Sequence, residues 1–181
     1  MRDSGRTFAF AGFSRSGKTT LICELVRHWT ARGRRIGVIK HSHHPIESLL
    51  QGDSLRFLEA GAHSVLLVTD HDSFLMDESA DPPAGWQTLE TITVGERNIT
   101  VHRGGYTTPS DLPPILGTAT VLIEGFKTSI EWRRIAVERE GIPSAGNGPF
   151  LATITDHPRG EHSFRHDEIA GLAAFLDRIT I

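Results

Sequence analysis

Residues 12–20 form the feature that most constrains this chain, because the first eight of them match the pattern G-x-x-x-x-G-K-T. A short apolar segment precedes them, and residues 21–29 follow with the apolar spacing of a helix. This strand–loop–helix context is the one that a phosphate-binding P-loop requires. Backbone N–H groups of such a loop surround an anion, and the positive end of the helix adds to the attraction. The predicted nucleotide contacts are Gly12, Phe13, Ser14, Arg15, Ser16, Gly17, Lys18, Thr19 and Thr20.

Two side chains of this loop have predicted roles of their own. Lys18 is placed to reach the β- and γ-phosphates of a nucleotide, and Thr19 is placed to offer its hydroxyl to Mg²⁺. The alternative is a chance turn rich in Gly and Ser, since the pattern alone arises by accident. The strand before it and the helix after it favour the P-loop.

Length and composition predict one globular domain that spans residues 1–181. A net charge of −3 provides no basic surface for nucleic acid, so we expect no nucleic-acid partner. We also expect no membrane segment and no secretory leader, because no apolar run has the required length or flanks. The single cysteine, Cys23, excludes an internal disulfide and predicts a cytoplasmic protein.

Alternating strand and helix patterns predict an α/β fold. The apolar residues of the first helix, residues 17–32, recur at i, i+4 and i+8, and residues 35–40 form a second apolar strand. Two strands joined by such a helix predict a right-handed crossover and a parallel sheet. Further strands are predicted at residues 64–68, 73–76 (an edge strand), 120–124, 133–139 and 150–156 (the last core strand). Helices are predicted at residues 52–61, 110–116 and 167–181.

The segment from residue 77 to residue 116 is less regular than the rest. Apolar and polar residues alternate on both sides of Gly95-Glu96-Arg97-Asn98, which predicts a β-hairpin near residues 90–102. The hairpin is either decoration on the rim of the domain or a dimerisation arm, since an exposed strand edge invites pairing.

Lys40, His41, Ser42, His43 and His44 follow the second predicted strand. Their spacing does not match a closed zinc site, and no cysteine or nearby carboxylate completes one. Ligands of open α/β sheets bind at the carboxyl ends of strands, which favours a phosphate or substrate contact. A metal site and a purely structural polar loop remain the alternatives.

Three carboxylates are candidate site residues. Asp53 either caps the short helix that it opens or contacts Mg²⁺ or its water shell. Glu124 ends an apolar strand and precedes Gly125, so it is a candidate for orienting Mg²⁺-bound or attacking water, with a surface hydrogen bond as the alternative. Asp156 ends another strand, where its carboxylate could accept both the N1–H and the amino group of guanine; the alternative is an ordinary loop aspartate.

These motifs together resemble the MobB family, the molybdopterin-guanine dinucleotide biosynthesis adaptor proteins. The resemblance rests on the P-loop, the K-H-S-H-H at residues 40–44, and Gly52-Asp53 with Arg56 and the A-G-A at residues 60–62. It rests also on the E-G-F-K at residues 124–127 and on Thr155-Asp156 before the closing helix. The lysine–histidine cluster and the E-G-F-K are more specific than the P-loop. Residues 77–116 show little match.

The resemblance implies a P-loop NTPase three-layer fold with a mainly parallel sheet, and a homodimer. It implies binding of GTP with Mg²⁺, weak hydrolysis, and assistance to the molybdopterin guanylyltransferase, with molybdopterin as a further partner. Lys18, Glu124 and Asp53 would act in catalysis, and Thr19 and Glu124 would hold the metal. Lys40, His41, His43 and Lys127 would face the nucleotide, and Asp156 would read its base.

One residue departs from the family pattern. Arg15 stands where the family usually has glycine, and a β-carbon is costly if the backbone there has positive φ. Either the loop is rearranged, or Arg15 contributes charge to the phosphates in its own subunit or across a dimer, as arginine fingers do.

Two other classes of function stay open. In a small-molecule kinase, Arg133, Arg134 and Arg139 would serve a phosphate acceptor, although the sequence has no clear arginine-rich lid. In a non-hydrolysing docking module, the nucleotide would only stabilise a surface for a nucleotidyltransferase.

Overall fold

The structure, a computed structural model, describes residues 6–42, 52–105, 108–126, 132–142 and 148–179. The predicted site residues His43, His44 and Lys127 lie outside the described residues. The elements in chain order are β1 (Arg6–Ala11), α1 (Lys18–Thr30), β2 (Ile36–His41), α2 (Asp53–Glu59), β3 (Ser64–Val68), β4 (Asp72–Asp77), β5 (Gln87–Val94), β6 (Arg97–Gly105), a 3₁₀ turn (Pro109–Asp111), α3 (Leu112–Ile115), β7 (Thr120–Glu124), β8 (Arg133–Val137), β9 (Ala152–Ile154), β10 (Ser163–Phe164) and α4 (Ile169–Arg178).

Within the described residues, ten strands form one sheet in the order β10-β9-β8-β1-β7-β2-β3-β4-β6-β5. The strands from β10 to β3 are all parallel, and with their helices we call them the parallel half. β4, β6 and β5 pair antiparallel, and we call them the antiparallel extension. The predicted α/β fold with a mainly parallel sheet and an added hairpin is confirmed.

Helices cover both faces of the sheet, which gives the predicted three layers. Trp29 of α1, Phe57 of α2 and Leu172 of α4 are buried in one apolar cluster on one face. Leu112 of α3 packs with Ile39 in a second cluster on the other face. Full burial of each large side chain stabilises the fold by about 1.5–3 kcal/mol, so both clusters hold the sheet in place.

Residues 73–76 were predicted to form an edge strand, and this prediction is wrong. The strand lies inside the sheet, because β4 pairs with β3 on one side and with β6 on the other. Burial explains the difference, since Leu75 and Met76 point to opposite faces and both are covered. The predicted hairpin forms β5 and β6 and is longer than residues 90–102.

Residues 150–156 were predicted to form the last core strand. β9 is shorter than this, and β10 pairs in parallel outside it. A two-residue strand such as Ser163–Phe164 has no periodicity that a sequence pattern could reveal. Among the helices of the described residues, none has the length and apolar character needed to cross a membrane.

Candidate functional site

The P-loop joins β1 to α1 by a tight turn against β8. A β-carbon on Gly12 would lie 2.4 Å from the carbonyl oxygen of Val137, so a side chain there has no room. Arg15 and Gly17 have φ of 65° and 95°, with the fully buried Ser16 between them. Left-handed residues in such a turn aim backbone N–H groups into one concavity, which is the geometry of an anion-binding nest.

Lys18 folds back over this loop. Its ammonium donates hydrogen bonds to the carbonyl oxygen of Phe13 at 2.6 Å and to Oγ of Ser16 at 3.4 Å. The charge is therefore already held beside the loop, where an anion in the concavity would lie.

Six side chains connect the start of α1 to β7, β2 and α2, and we call them the polar ring. They are Thr19, Glu124, Lys40, Asp53, Arg56 and Thr20. Each belongs to the carboxyl end of a strand or to the first turns of a helix beside it. Because these strands are parallel, the fold brings all of these ends to one edge of the sheet.

Glu124 is the centre of the polar ring. Its two carboxylate oxygens lie 3.1 and 3.0 Å from Oγ1 of Thr19, whose hydroxyl donates to them. Lys40 Nζ lies 2.8 Å from Glu124 Oε1 and 2.8 Å from Asp53 Oδ2. Arg56 completes the ring, 3.5 Å from Asp53 Oδ1 and 3.3 Å from the Thr20 hydroxyl.

The ring encloses charges that are largely removed from water. The Glu124 side chain is 6% exposed, and that of Lys40 is 19% exposed. Burial by itself would lower the pKa of Lys40, but the carboxylates of Glu124 and Asp53 outweigh it, so this pKa lies above its ordinary value. Lys40 is consequently an ammonium held between two carboxylates.

A strained turn fixes Glu124 next to β2. The two residues after it, Gly125 and Phe126, both have left-handed backbones, with φ of 108° and 50°. A β-carbon on Gly125 would lie 2.7 Å from Cβ of His41, and the rings of Phe126 and His41 stack at 4.2 Å. A non-glycine residue keeps such a conformation only where its surroundings impose it, as they often do at functional sites.

These residues line a cavity of about 630 Å³ at the carboxyl edge of the parallel half. Five lining side chains are cationic and two are carboxylates, so the cavity favours an anion. The lining residues are Ser14, Arg15, Gly17, Lys18, Thr19, Thr20, Lys40, His41, Ser42, Asp53, Arg56, Glu124, Gly125 and Arg139. Gly12, Phe13 and Ser16, also predicted as nucleotide contacts, shape the loop behind this lining.

The interpretation of Asp53 as a helix cap is wrong. Gly52 occupies the cap position, Asp53 is the first helical residue, and no side chain caps α2. The Asp53 carboxylate instead contacts Lys40 and Arg56, because two cations attract it more strongly than the helix N–H groups do.

Asp156 follows β9 at the same edge of the sheet but is not among the residues that line the cavity. Its Oδ2 accepts the backbone N–H of Glu140 at 2.8 Å, and Oδ1 lies 3.9 Å from Nε2 of His166. The Glu140 N–H, helped by His166, holds the pKa of Asp156 below its ordinary value. Its base-reading role stays a prediction.

Two residues beside the P-loop were not predicted as nucleotide contacts. A β-carbon on Gly17 would lie 3.4 Å from Nη2 of Arg139 and 3.5 Å from Nδ1 of His166. His166 is fixed by donating from Nε2 to the carbonyl oxygen of Glu138 at 2.8 Å. Each follows a parallel strand by two residues. The strand-end rule could have identified Arg139, because β8 was predicted, but not His166, because β10 is too short to predict from the sequence.

The arginines proposed for a kinase do not form one cluster. Arg133 and Arg134 begin β8, whereas Arg139 follows its carboxyl end. A strand rises about 3.3 Å per residue, which puts roughly 16 Å between Arg134 and Arg139. Arg134 also packs over the Phe150 ring, 4.9 Å from its centre, so it has a structural partner.

Thr19 and Glu124 supply the oxygen ligands that Mg²⁺ prefers, and their oxygen atoms converge within hydrogen-bond distance. The residues present therefore fit a magnesium ion held jointly with phosphate oxygens. Over the described part of the chain, histidine, cysteine, aspartate and glutamate form no group of three that could hold a metal ion by themselves.

A known protein family matches most of the chain. Residues 7–156 match the family model described as MobB, Molybdopterin guanine dinucleotide synthesis protein B. The Molybdopterin-guanine dinucleotide biosynthesis adapter protein of Escherichia coli (strain K12) is 33% identical over 150 residues, which cover 82% of this chain and 73% of that protein. The protein of the same description from Haemophilus influenzae is 44% identical over 72 residues, or 39% of this chain and 40% of that relative's length.

Two solved structures share the fold. The crystal structure of Bacillus subtilis MobB aligns with a TM-score of 0.53 and 19% identity, covering 97% of this chain and 98% of that one. A MobB protein homolog from Bacillus stearothermophilus aligns with a TM-score of 0.51 and 15% identity, covering 95% and 98%. Identities this low support the architecture alone.

Proposed function

Because this chain belongs to the MobB family, we propose that it is a GTP-binding adapter in the synthesis of molybdopterin guanine dinucleotide, with weak Mg²⁺-dependent hydrolysis. The observation that carries this proposal is the hydrogen-bonded contact between the end of the P-loop and Glu124. Thr19, the residue after the P-loop lysine, donates its hydroxyl to a buried carboxylate from a neighbouring strand. That combination suits Mg²⁺ bound to a nucleoside triphosphate.

The residues of the cavity have distinct roles in this proposal. Backbone N–H groups of residues 14–19 would bind the phosphates, and Lys18 would turn from Phe13 to donate to the β- and γ-phosphates. Thr19 and Glu124 would hold the metal, and Glu124 would also orient the attacking water. Mg²⁺, when bound, would neutralise charge on the phosphate oxygens. Lys40, His41 and Asp53 would face the nucleotide from the β2 side.

Specificity for guanine would come from Asp156, whose carboxylate can accept two hydrogen bonds from that base. The pKa of Asp156 lies below the ordinary value for an aspartate, and its carboxylate is ionised at neutral pH with or without that shift. Arg139 and His166, which lie beside Gly17, are further side chains on this flank of the cavity.

The adapter role rests on the family. We propose that the partner is the molybdopterin guanylyltransferase, that molybdopterin itself is a second partner, and that the protein acts in the cytoplasm as a homodimer. β5 supports the dimer, because it is an edge strand of the sheet and carries the exposed Leu89.

Multiple-turnover release of inorganic phosphate from GTP tests the proposal, with the guanylyltransferase present and absent. We expect slow release alone and faster release with the partner, with Glu124→Gln as the inactive control. Release no faster than that control under both conditions would favour the docking module. Transfer of the γ-phosphate to a pterin instead of water would favour the kinase.

A further inference from the structure

Lys40 contacts Glu124 in the polar ring, and a role in facing the nucleotide does not explain this contact. Its ammonium lies 2.8 Å from Glu124 Oε1, and that same oxygen lies 3.1 Å from the Thr19 hydroxyl. An ammonium ion therefore already neutralises the carboxylate that would ligate Mg²⁺. Two cations on one buried carboxylate repel each other strongly, because little water lies between them.

Asp53 gives the ammonium a second anion. Lys40 Nζ lies 2.8 Å from Asp53 Oδ2, the same distance as from Glu124 Oε1. Arg56 holds Asp53 in turn and is itself bonded to Thr20. The ammonium can consequently leave Glu124 and remain paired, which would make the exchange inexpensive.

We propose that Lys40 is an internal counter-cation that holds Glu124 in the absence of metal and yields it to Mg²⁺ when nucleotide phosphates complete the metal's ligands. This inference rests on the proposed function and deepens it. Mg²⁺ gives up its water reluctantly and is usually held by one or two carboxylates together with phosphates. Lys40 makes binding of Mg²⁺ to Glu124 less favourable still, because the ammonium must first leave the carboxylate. Mg²⁺ alone therefore binds the protein weakly, and it binds together with the nucleotide.

The test removes the ammonium and asks whether Mg²⁺ replaces it. Lys40→Met keeps an unbranched side chain but leaves the buried Glu124 without its counter-charge. Thermal unfolding is measured without nucleotide, in EDTA and in Mg²⁺, at equal ionic strength. We expect Mg²⁺ to raise the Tm of Lys40→Met by about 5 °C or more, and that of the wild type by less than about 1 °C.

Two control variants separate metal ligation from general screening. Arg103→Met removes a cation from Asp72, a carboxylate outside the site, and should gain nothing from Mg²⁺. Lys40→Met combined with Glu124→Gln should lose the response to Mg²⁺, because the ligand is gone. If Lys40→Met alone does not fold, Lys40→Met with Asp53→Asn carries the same test with one negative charge fewer around the lost ammonium.

The inference is overturned if the wild type responds to Mg²⁺ alone as much as Lys40→Met does, or if neither responds. A separate titration of the wild type with GTP and Mg²⁺ distinguishes this failure from that of the proposed function. Absence of GTP binding would contradict the proposed function, whereas the response of Lys40→Met to Mg²⁺ reports on Lys40 alone.

Discussion

The parallel half and the antiparallel extension use charged side chains in opposite ways. At the carboxyl edge of the parallel half, Glu124 and Lys40 are paired with side-chain exposures of only 6% and 19%. In the antiparallel extension, Arg103 and Asp72 form a pair at a similar distance, 3.0 Å, with exposures of 51% and 31%. The first pair is costly to assemble and costly to break, while water screens the second. Contact distance alone therefore does not indicate which ion pairs contribute to stability.

The largest expected effect is that of Gly12→Ala in the parallel half. The new β-carbon would lie 2.4 Å from a backbone carbonyl of β8, so the P-loop or the strand must move. We expect a loss of about 3 kcal/mol in the free energy of unfolding, together with loss of nucleotide binding. Chemical denaturation measures it, with Gly105→Ala as the control, since nothing lies within 4 Å of that added carbon. Equal effects of the two variants would contradict the tight packing of the loop.

Arg97→Ala tests whether a charged residue of the antiparallel extension also contributes substantially to the stability of the fold. Arg97 donates to the carbonyl oxygens of Leu58 at 3.2 Å and Ala62 at 2.9 Å, at the end of α2 that is remote from the site. Its side chain is 26% exposed, so these bonds are partly shielded from water. We expect a loss of about 2 kcal/mol, because two carbonyls lose a charged donor. Denaturation gives the value, and a loss below about 0.5 kcal/mol would remove Arg97 as an anchor of the hairpin.

Two substitutions of Arg15 separate the backbone strain at this residue from the effect of its charge. Glycine relieves the cost of the left-handed backbone but adds freedom to the unfolded chain, so Arg15→Gly should raise the free energy of unfolding by about 0.5–1 kcal/mol. Arg15→Ala removes the charge and retains the strain. If Arg15 contributes charge to the phosphates, both variants should weaken GTP binding and slow hydrolysis more than about twofold, or roughly 0.5 kcal/mol. Unchanged affinity and rate in both would leave Arg15 without a role in the site.

The smallest expected effect is that of Arg103→Ala. Its pair with Asp72 lies on the solvent face, so we expect a change below about 0.5 kcal/mol that decreases further in high salt. Unfolding in low and high salt measures both quantities. A loss comparable to that of Arg97→Ala would mean that the exposure of an arginine side chain is a poor guide to its contribution to stability.

Local patterns predicted the features that depend on local sequence. The P-loop, α1 and β2 were predictable because the glycines, the lysine and the apolar spacing act within a few residues. The place of β4 inside the sheet depends on pairing with β6, about thirty residues away along the chain, which no local pattern contains.

The same limit applies to the site. Glu124 was predictable because an apolar strand ending in an acid is a local pattern. The contact between Asp53 and Lys40 was not predictable. The sequence position of Asp53 is ordinary for a helix cap, and only the packing of α2 beside β2 brings Lys40 to it. Arg139 and His166 lie in the loops after two strands, and their convergence on Gly17 depends on the order of those strands.

The central claim, that the carboxyl edge of the parallel half binds GTP with Mg²⁺, is tested most directly by thermal unfolding of the wild type and of Lys18→Ala with GTP or ATP in Mg²⁺. At one hundred times its dissociation constant, a ligand stabilises the folded state by about 2.7 kcal/mol, or roughly 5–10 °C for a chain of this size. We predict such a shift for GTP with the wild type, a much smaller shift for ATP, and none for Lys18→Ala. Equal shifts with ATP and GTP would remove Asp156 as the base reader, and no shift of the wild type with either nucleotide would contradict the claim itself.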